Sequence, residues 1–418
     1  MSALAPFLSA EKLFERDRWA RVADAVAVAV AVSLPWSTSA TSALIALWVV
    51  TLLPTLRLAD LARELKDPAA GLPVLLWALG IVGMLWSAAS LTEQFYALKG
   101  FHKVLVIPLL FVHFRRSERG HWVIGGFLAS CTVLLAASWV LHVWGPPPSR
   151  YGPGVPVKDY IVQSAEFLIC AFAAGHLAVD AWLKQQRAVA SAMAALALLF
   201  LANIAFVAAG RTSLAAFPVL LILFAVQRFG VRGALGLVIG GALFAAVIWV
   251  SSPYLRERAF GVADEIQRYH STNAETSTGY RLEFWKKSVV FVAEAPVLGH
   301  GTGSIPDLFR RAATGDTGIA AAVTGNPHNQ TLEIAIQFGL VGTALLYAMW
   351  IAHLLMFRGT GLAAWLGQGV VTQTIVGALF LSYLLDFSSG WLYVFGVGVL
   401  GGMCASTQPQ AKDAPLAH

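Results

Sequence analysis

Charge is scarce in this chain. Asp, Glu, Lys and Arg make up 12% of its 418 residues, against about 25% in a soluble domain. So few charges cannot keep a large globular surface wet, which excludes an ordinary soluble enzyme. Cysteine is scarcer still: Cys131, Cys170 and Cys404 fall in apolar runs, with neither metal spacing nor a disulfide framework. The net charge is +6 and the pI about 9.3, yet no basic cluster accompanies a nucleic-acid motif, so nucleic acid is not an expected partner. No Asp-x-Asp pair sits in a loop to hold Mg²⁺ on a diphosphate. No P-loop or Gly-x-Ser-x-Gly elbow is present. The expectation is therefore an activity without metal, nucleotide or cofactor. A cleavable leader is not expected either, because Glu11, Glu15 and Asp17 interleave with Lys12, Arg16 and Arg18 and no cleavage site follows.

What is abundant is apolar sequence, at 57% of residues with mean hydropathy +0.68. A spanning helix needs about 20 mostly apolar residues. Twelve runs qualify: 19–37, 38–56, 72–90, 96–114, 121–144, 160–182, 188–209, 211–227, 232–252, 328–356, 362–385 and 387–405. The fold class is all-α and polytopic. Lys and Arg alternate between the connecting loops, which predicts both termini on the cytoplasmic side. The chain then divides into helices over 1–252, one long outer loop over 253–327, three helices over 328–405 and a short polar tail over 406–418.

The long loop carries eight basic and eight acidic residues. Its middle reads as an amphipathic helix with Leu282, Trp285, Val289 and Val292 on one face, suited to the bilayer or to capping the bundle. Gly299, Gly301 and Gly303 follow as a flexible turn that can bring backbone N–H groups near a ligand. The Pro-rich stretch 145–156 is stiff and expected to form a lid or rim.

His328 begins the tenth run. Below it, Leu332, Ala335, Gly339 and Gly342 make a stripe suited to close helix packing. Asn326, Gln330, Glu333 and Gln337 form a polar stripe, and an acid at membrane depth is a functional candidate. From position alone His328 is equally a helix-end residue bonded to a carbonyl. Arg211, in Gly210-Arg211-Thr212-Ser213, stands between two apolar runs, where it snorkels or binds an anion. The predicted topology puts Arg211, Arg281 and His328 on one face of the membrane. Arginine suits phosphate because its fork binds bidentately and stays charged. Lys99, His102 and Lys103 share one helix face, for which a solvated or headgroup-bound role is favoured over a substrate site. Asp386 is a lone acid that can pair with an arginine.

His328-Asn329, nine residues, Gly339, two residues, Gly342 resembles the signature of bacterial O-antigen ligases. Gly210-Arg211-Thr212-Ser213 and the Arg281–Gly303 segment resemble other shared parts of the O-antigen ligase/polymerase superfamily. The resemblance implies a GT-C-type inverting glycosyltransferase without metal, multi-pass in the inner membrane, with its site facing the periplasm. The implied donor is a glycan on undecaprenyl diphosphate and the implied acceptor a hydroxyl of lipid A-core. It implies His328 as general base and Arg211 and Arg281 as diphosphate ligands. Lys99, His102, Lys103, Asn329, Glu333 and Asp386 are further candidates for substrate contact. Membrane lipids are the other expected partners, and a monomer is expected. An O-antigen polymerase or a protein O-oligosaccharyltransferase is the alternative within the superfamily; the short tail favours the ligase. A secondary transporter fits less well, because no repeat relates two halves.

Overall fold

In hydrocarbon every backbone N–H and C=O must be paired within the protein, and long apolar runs answer this by forming helices. The computed structural model describes residues 5–145, 152 and 154–406, and among these the chain is helical with no strand. The elements are α1 (Ala5–Ser33), α2 (Thr38–Leu52), α3 (Leu58–Glu64), α4 (Pro68–Val82), α5 (Leu91–Phe101), α6 (Val106–Phe114), α7 (Gly120–Trp144) and α8 (Tyr160–Leu183). They continue as α9 (Arg187–Phe206), α10 (Arg211–Ser251), α11 (Pro253–Thr272), α12 (Ser277–Glu294), α13 (Ile305–Arg311), α14 (Gln330–Met356), α15 (Leu362–Ala378) and α16 (Phe387–Ser406). Most of the Pro-rich stretch (146–151 and 153) and the tail from 407 lie outside the described residues, so the expected rim and tail are not described.

The chain is an all-α polytopic membrane protein. Nine helices among the described residues are long and apolar enough to cross a membrane. The number is ten if Ile239–Ser251 and Pro253–Thr272, bent by 95° at their junction, count as one. The remaining runs fall short of that test for local reasons. Arg16, Asp17, Arg18, Arg21 and Asp24 load α1 with charge, and α15 is 17 residues long. The two runs expected on either side of 227–232 are joined in α10, where Gly230 at φ 65° breaks the helical path. The bundle core holds the large buried side chains of Trp48, Phe101, Phe114, Phe167, Trp350 and Tyr393, with α16 packed against α6 and α15.

Residues 253–327 fold over one end of this bundle as α11, α12 and α13. The expected face of α12 is only partly covered: Leu282, Trp285 and Val292 are half-buried and Val289 is exposed, whereas Phe284, Ser288 and Phe291 are buried. Phe284 and Phe291 form a small core with Ile305, Leu308, Phe309 and Ile336. The competing stripe wins because aromatic rings bury more apolar area than valine.

The glycine stripe of α14 also does something other than expected. Gly339 adopts φ 57° and ψ −148° and interrupts the helix. The carbonyls and amides released by the break pair with the segment 296–301. His300 N donates to Ile336 O at 2.8 Å, Gly301 N to Gln337 O at 2.9 Å, and Leu340 N to Pro296 O at 2.8 Å. Thr302 N donates to Gly83 O at 3.1 Å and Gly303 N to Gln337 Oε1 at 2.9 Å. The amides of the Gly-rich turn are thus used up in holding α14 and α4 and are not free for a ligand.

A Cβ at Gly339 would lie 2.4 Å from the Val297 carbonyl carbon and oxygen. Gly339→Ala should therefore cost at least about 2 kcal/mol, from the unfavourable φ/ψ region and the clash together. Thermal unfolding in detergent checks this, with Gly125→Ala as the control because a Cβ there meets nothing within 4 Å. Equal melting temperatures for the two variants would contradict the account of the break.

Candidate active site

His328 is held by three separate elements. Its backbone is left-handed, φ 55°, and its N–H donates to Asn326 Oδ1 at 2.7 Å. The same Asn326 oxygen accepts from Ser382 Oγ at 2.8 Å, in the turn between α15 and α16. Asn329 caps α14: its Oδ1 accepts from Leu332 N at 3.0 Å while its Nδ2 donates to Leu379 O at 3.0 Å. From α12, Trp285 Nε1 donates to Pro327 O at 3.0 Å. The Phe284 ring lies nearly parallel to the imidazole, 20° off, with centroids 6.3 Å apart. His328 Nδ1 is buried and has no hydrogen-bond partner among the described residues. Burial, and then the neighbouring Arg281 guanidinium, hold the imidazole below its usual pKa. Both effects favour the neutral imidazole, which has a nitrogen available to accept a proton.

Arg211 is the first residue of α10. Gly210 before it lies so close to α8 that a Cβ would come 2.1 Å from Ser164 Oγ, and Ser164 and Ser213 share a 2.9 Å hydrogen bond. This fixes where α10 starts. The Arg211 guanidinium forks onto Glu265 of α11, Nη2 to Oε1 at 2.6 Å and Nη1 to Oε2 at 3.3 Å. Nη1 also donates to Thr278 Oγ1 at 3.0 Å. Glu265 Oε2 in turn accepts from Thr278 N at 2.8 Å. One ion pair therefore ties α10, α11 and α12 together.

Arg281, on α12, is half-buried, and no hydrogen bond or ion pair joins its side chain to a described residue. Burial, and then the adjacent Arg211 charge, push its pKa down from the usual arginine value, yet an arginine stays protonated. The structure thus brings two guanidiniums and one imidazole within electrostatic range, and among the described residues Glu265 is the carboxylate bonded to them. Among those residues the excess positive charge has no ion-pair partner.

The other candidates divide. Lys103 is buried, and its Nζ donates to Leu385 O at 3.0 Å and Asp386 O at 2.5 Å. It lies within electrostatic range of Glu333, which is buried with Oε2 unpartnered. Lys99 and His102 are exposed. The His102 ring turns back to the Lys99 carbonyl and meets Trp391 edge-on at 6.3 Å. The expected common face of Lys99, His102 and Lys103 is therefore split, because the chain narrows to a 3-10 turn at His102–Leu105 and turns Lys103 inward. Among the described residues Asp386 pairs with no arginine; its Oδ1 accepts from Ser389 N at 2.9 Å and caps α16. The polar stripe of α14 holds backbone, with Gln330 Oε1 accepting from Leu384 N at 2.9 Å. Glu265, Thr278 and Ser382 were not found from the sequence. Phe284 and Trp285 had a signal, since they follow Arg281 by three and four positions on one helix face. Among the described residues no group of three His, Cys, Asp or Glu converges as a metal site.

Removing Glu265 would leave Arg211 partly buried with its ion pair gone. Glu265→Ala should cost about 1–3 kcal/mol, less than a fully buried pair would. Hydrogen exchange should rise across 253–294 and not in α2. Unchanged exchange in that segment would show that the pair does not hold it.

A family model described as O-antigen ligase matches residues 196–347. The matched segment contains Arg211, Glu265, Arg281 and His328. A Haemophilus influenzae protein described as uncharacterized is 33% identical over 82 residues, which is 19% of this chain and 20% of that protein. The chain thus spans about a fifth of that relative's length. The family match supports placing this chain in the O-antigen ligase superfamily, with the imidazole and both arginines inside the matched region.

Proposed function

We propose that the chain is an O-antigen ligase, an inverting glycosyltransferase that moves a glycan from undecaprenyl diphosphate to a sugar hydroxyl of lipid A-core at the periplasmic face of the inner membrane. The observation that carries this reading is the uncommitted Arg281 guanidinium beside both Arg211 and a neutral His328. A lipid diphosphate supplies the anion that this cluster lacks. Its isoprenoid tail remains in the bilayer while its sugar sits under α12.

Each residue has a chemical task. Arg281 takes the donor phosphates first, because nothing else holds it. Arg211 adds a second fork by sharing itself between Glu265 and the diphosphate. The His328 imidazole takes the proton from the acceptor hydroxyl as the oxygen attacks the anomeric carbon. The bond from that carbon to the diphosphate oxygen breaks, and the leaving group departs with its electron pair and its charge. The two guanidiniums stabilise that charge where it develops. Attack opposite the leaving group inverts the anomeric centre. Lys103 and Glu333 lie behind the His328 loop and support the Ser382 turn that holds it.

The imidazole must be neutral to act. Its lowered pKa extends activity to more acidic pH than a free histidine, of pKa about 6.5, would allow. The acid limb of kcat/KM should therefore fall below pH 6.5. In Arg281→Gln the nearby cation is gone, the protonated imidazole is less disfavoured, and the limb should move to higher pH, whatever happens to the maximal rate. His328→Ala should lose at least about 100-fold in turnover while keeping its melting temperature. A limb that stays fixed or moves to lower pH in Arg281→Gln, or near-normal turnover in His328→Ala, would remove the base from this scheme.

A further inference from the structure

At the other end of the bundle from His328 lies a cavity of about 1090 Å³. It is enclosed by the charged half of α1, the end of α2, the end of α6 and the start of α7. Its lining includes five arginines, Arg16, Arg21, Arg57, Arg116 and Arg119, and no lysine. The acids around it are Asp17, Asp24 and Glu118. Asp24 is already committed: its Oδ1 accepts from Ser117 Oγ at 2.6 Å and is bonded to His113 Nε2 at 2.8 Å. Arg116 is committed to Asp60 of α3. No ion pair or side-chain hydrogen bond joins Arg16, Arg21, Arg57 or Arg119 to a described residue. Among the described residues, four guanidiniums without a side-chain partner thus face one cavity against two such carboxylates.

Like charges gathered around one cavity repel, and a bridging anion removes that cost. Guanidinium forks match phosphate oxygens two at a time, which a set of lysines would not do. The cavity wall also carries Leu52, Val112 and the exposed Trp122. Trp122 sits in the first turn of α7, a helix long and apolar enough to cross a membrane. Indoles at such helix ends lie at headgroup depth, where lipid phosphates are. We propose that this cavity is a binding site for the phosphate headgroup of an anionic phospholipid, separate from the His328 cluster and independent of the reaction assigned to it.

The test is native mass spectrometry of the full chain in detergent, offered equal phosphatidylglycerol and phosphatidylcholine. The wild type should retain phosphatidylglycerol in preference. Each single Arg→Gln change at Arg57 or Arg119 should weaken that retention about fivefold. The quadruple Arg→Gln variant at Arg16, Arg21, Arg57 and Arg119 should abolish the preference. Arg310→Gln with Arg311→Gln, on α13 at the other end, should change nothing. The single variants alter exposed side chains, so they give the readout even if the quadruple variant misfolds. The proposal is overturned if the wild type shows no preference, or if the Arg57 and Arg119 variants retain phosphatidylglycerol like the wild type. It is also overturned if inorganic pyrophosphate binds in the cavity and no lipid is retained, which would make the occupant a free phosphate compound.

Discussion

The break in α14 exists only because another piece of backbone fills it. A helix interrupted at membrane depth exposes amides and carbonyls that lipid cannot satisfy. Here the turn segment 296–301 inserts beside Gly339 and takes up Ile336 O and Gln337 O. Gly303 N and Thr302 N extend the same seam to Gln337 and to Gly83 of the α4 end. The polypeptide between α12 and α14 is consequently pinned at both ends of the loop that carries His328. Thermodynamically the seam converts a weak point of the bundle into the anchor of everything that lies over it.

From that anchor the site follows. With α12 fixed, Phe284 and Trp285 reach the His328 loop while Arg281, one turn earlier on the same face, lies within electrostatic range of the arginine at the head of α10. Among the described residues the carboxylate bonded within the cluster is Glu265, and it is spent on Arg211 and Thr278. The result is a fixed surplus of positive charge beside a neutral imidazole, near the ends of apolar helices. Such a surplus is costly without a ligand and favours a membrane-tethered anion over a neutral solute. The opposite end of the bundle carries its own arginines around Trp122, with His113 bonded to Asp24 and His121 turned to the Glu118 carbonyl.

Much of this was legible in the residues. Long apolar runs specify helices because hydrocarbon leaves the backbone no alternative, and the predicted topology put Arg211, Arg281 and His328 on one face, where the structure brings their charges within range of one another. The sequence did not reveal which of two apolar stripes on α12 would be covered, since periodicity marks both Val289 and Phe284 and only the neighbouring Phe309 and Ile336 decide between them. It hid the break in α14, because a glycine at 339 reads the same whether it lets a helix approach or a loop insert. It hid Glu265, 54 positions from Arg211, where the choice among eight loop acids is made by tertiary packing. Asp386-Phe387-Ser388-Ser389 is a legible helix start, and an acid directly before a new helix serves as its cap.

The central claim is the transfer of a glycan from a lipid diphosphate to lipid A-core with inversion at the anomeric carbon. Purified protein, a defined undecaprenyl-diphosphate glycan and lipid A-core test it in one reaction, read by NMR of the new linkage and by the release of undecaprenyl diphosphate. The account predicts one undecaprenyl diphosphate released per glycan transferred, and a linkage of opposite anomeric configuration to the donor. A retained configuration, or growth of the glycan on undecaprenyl diphosphate with lipid A-core left bare, would contradict it.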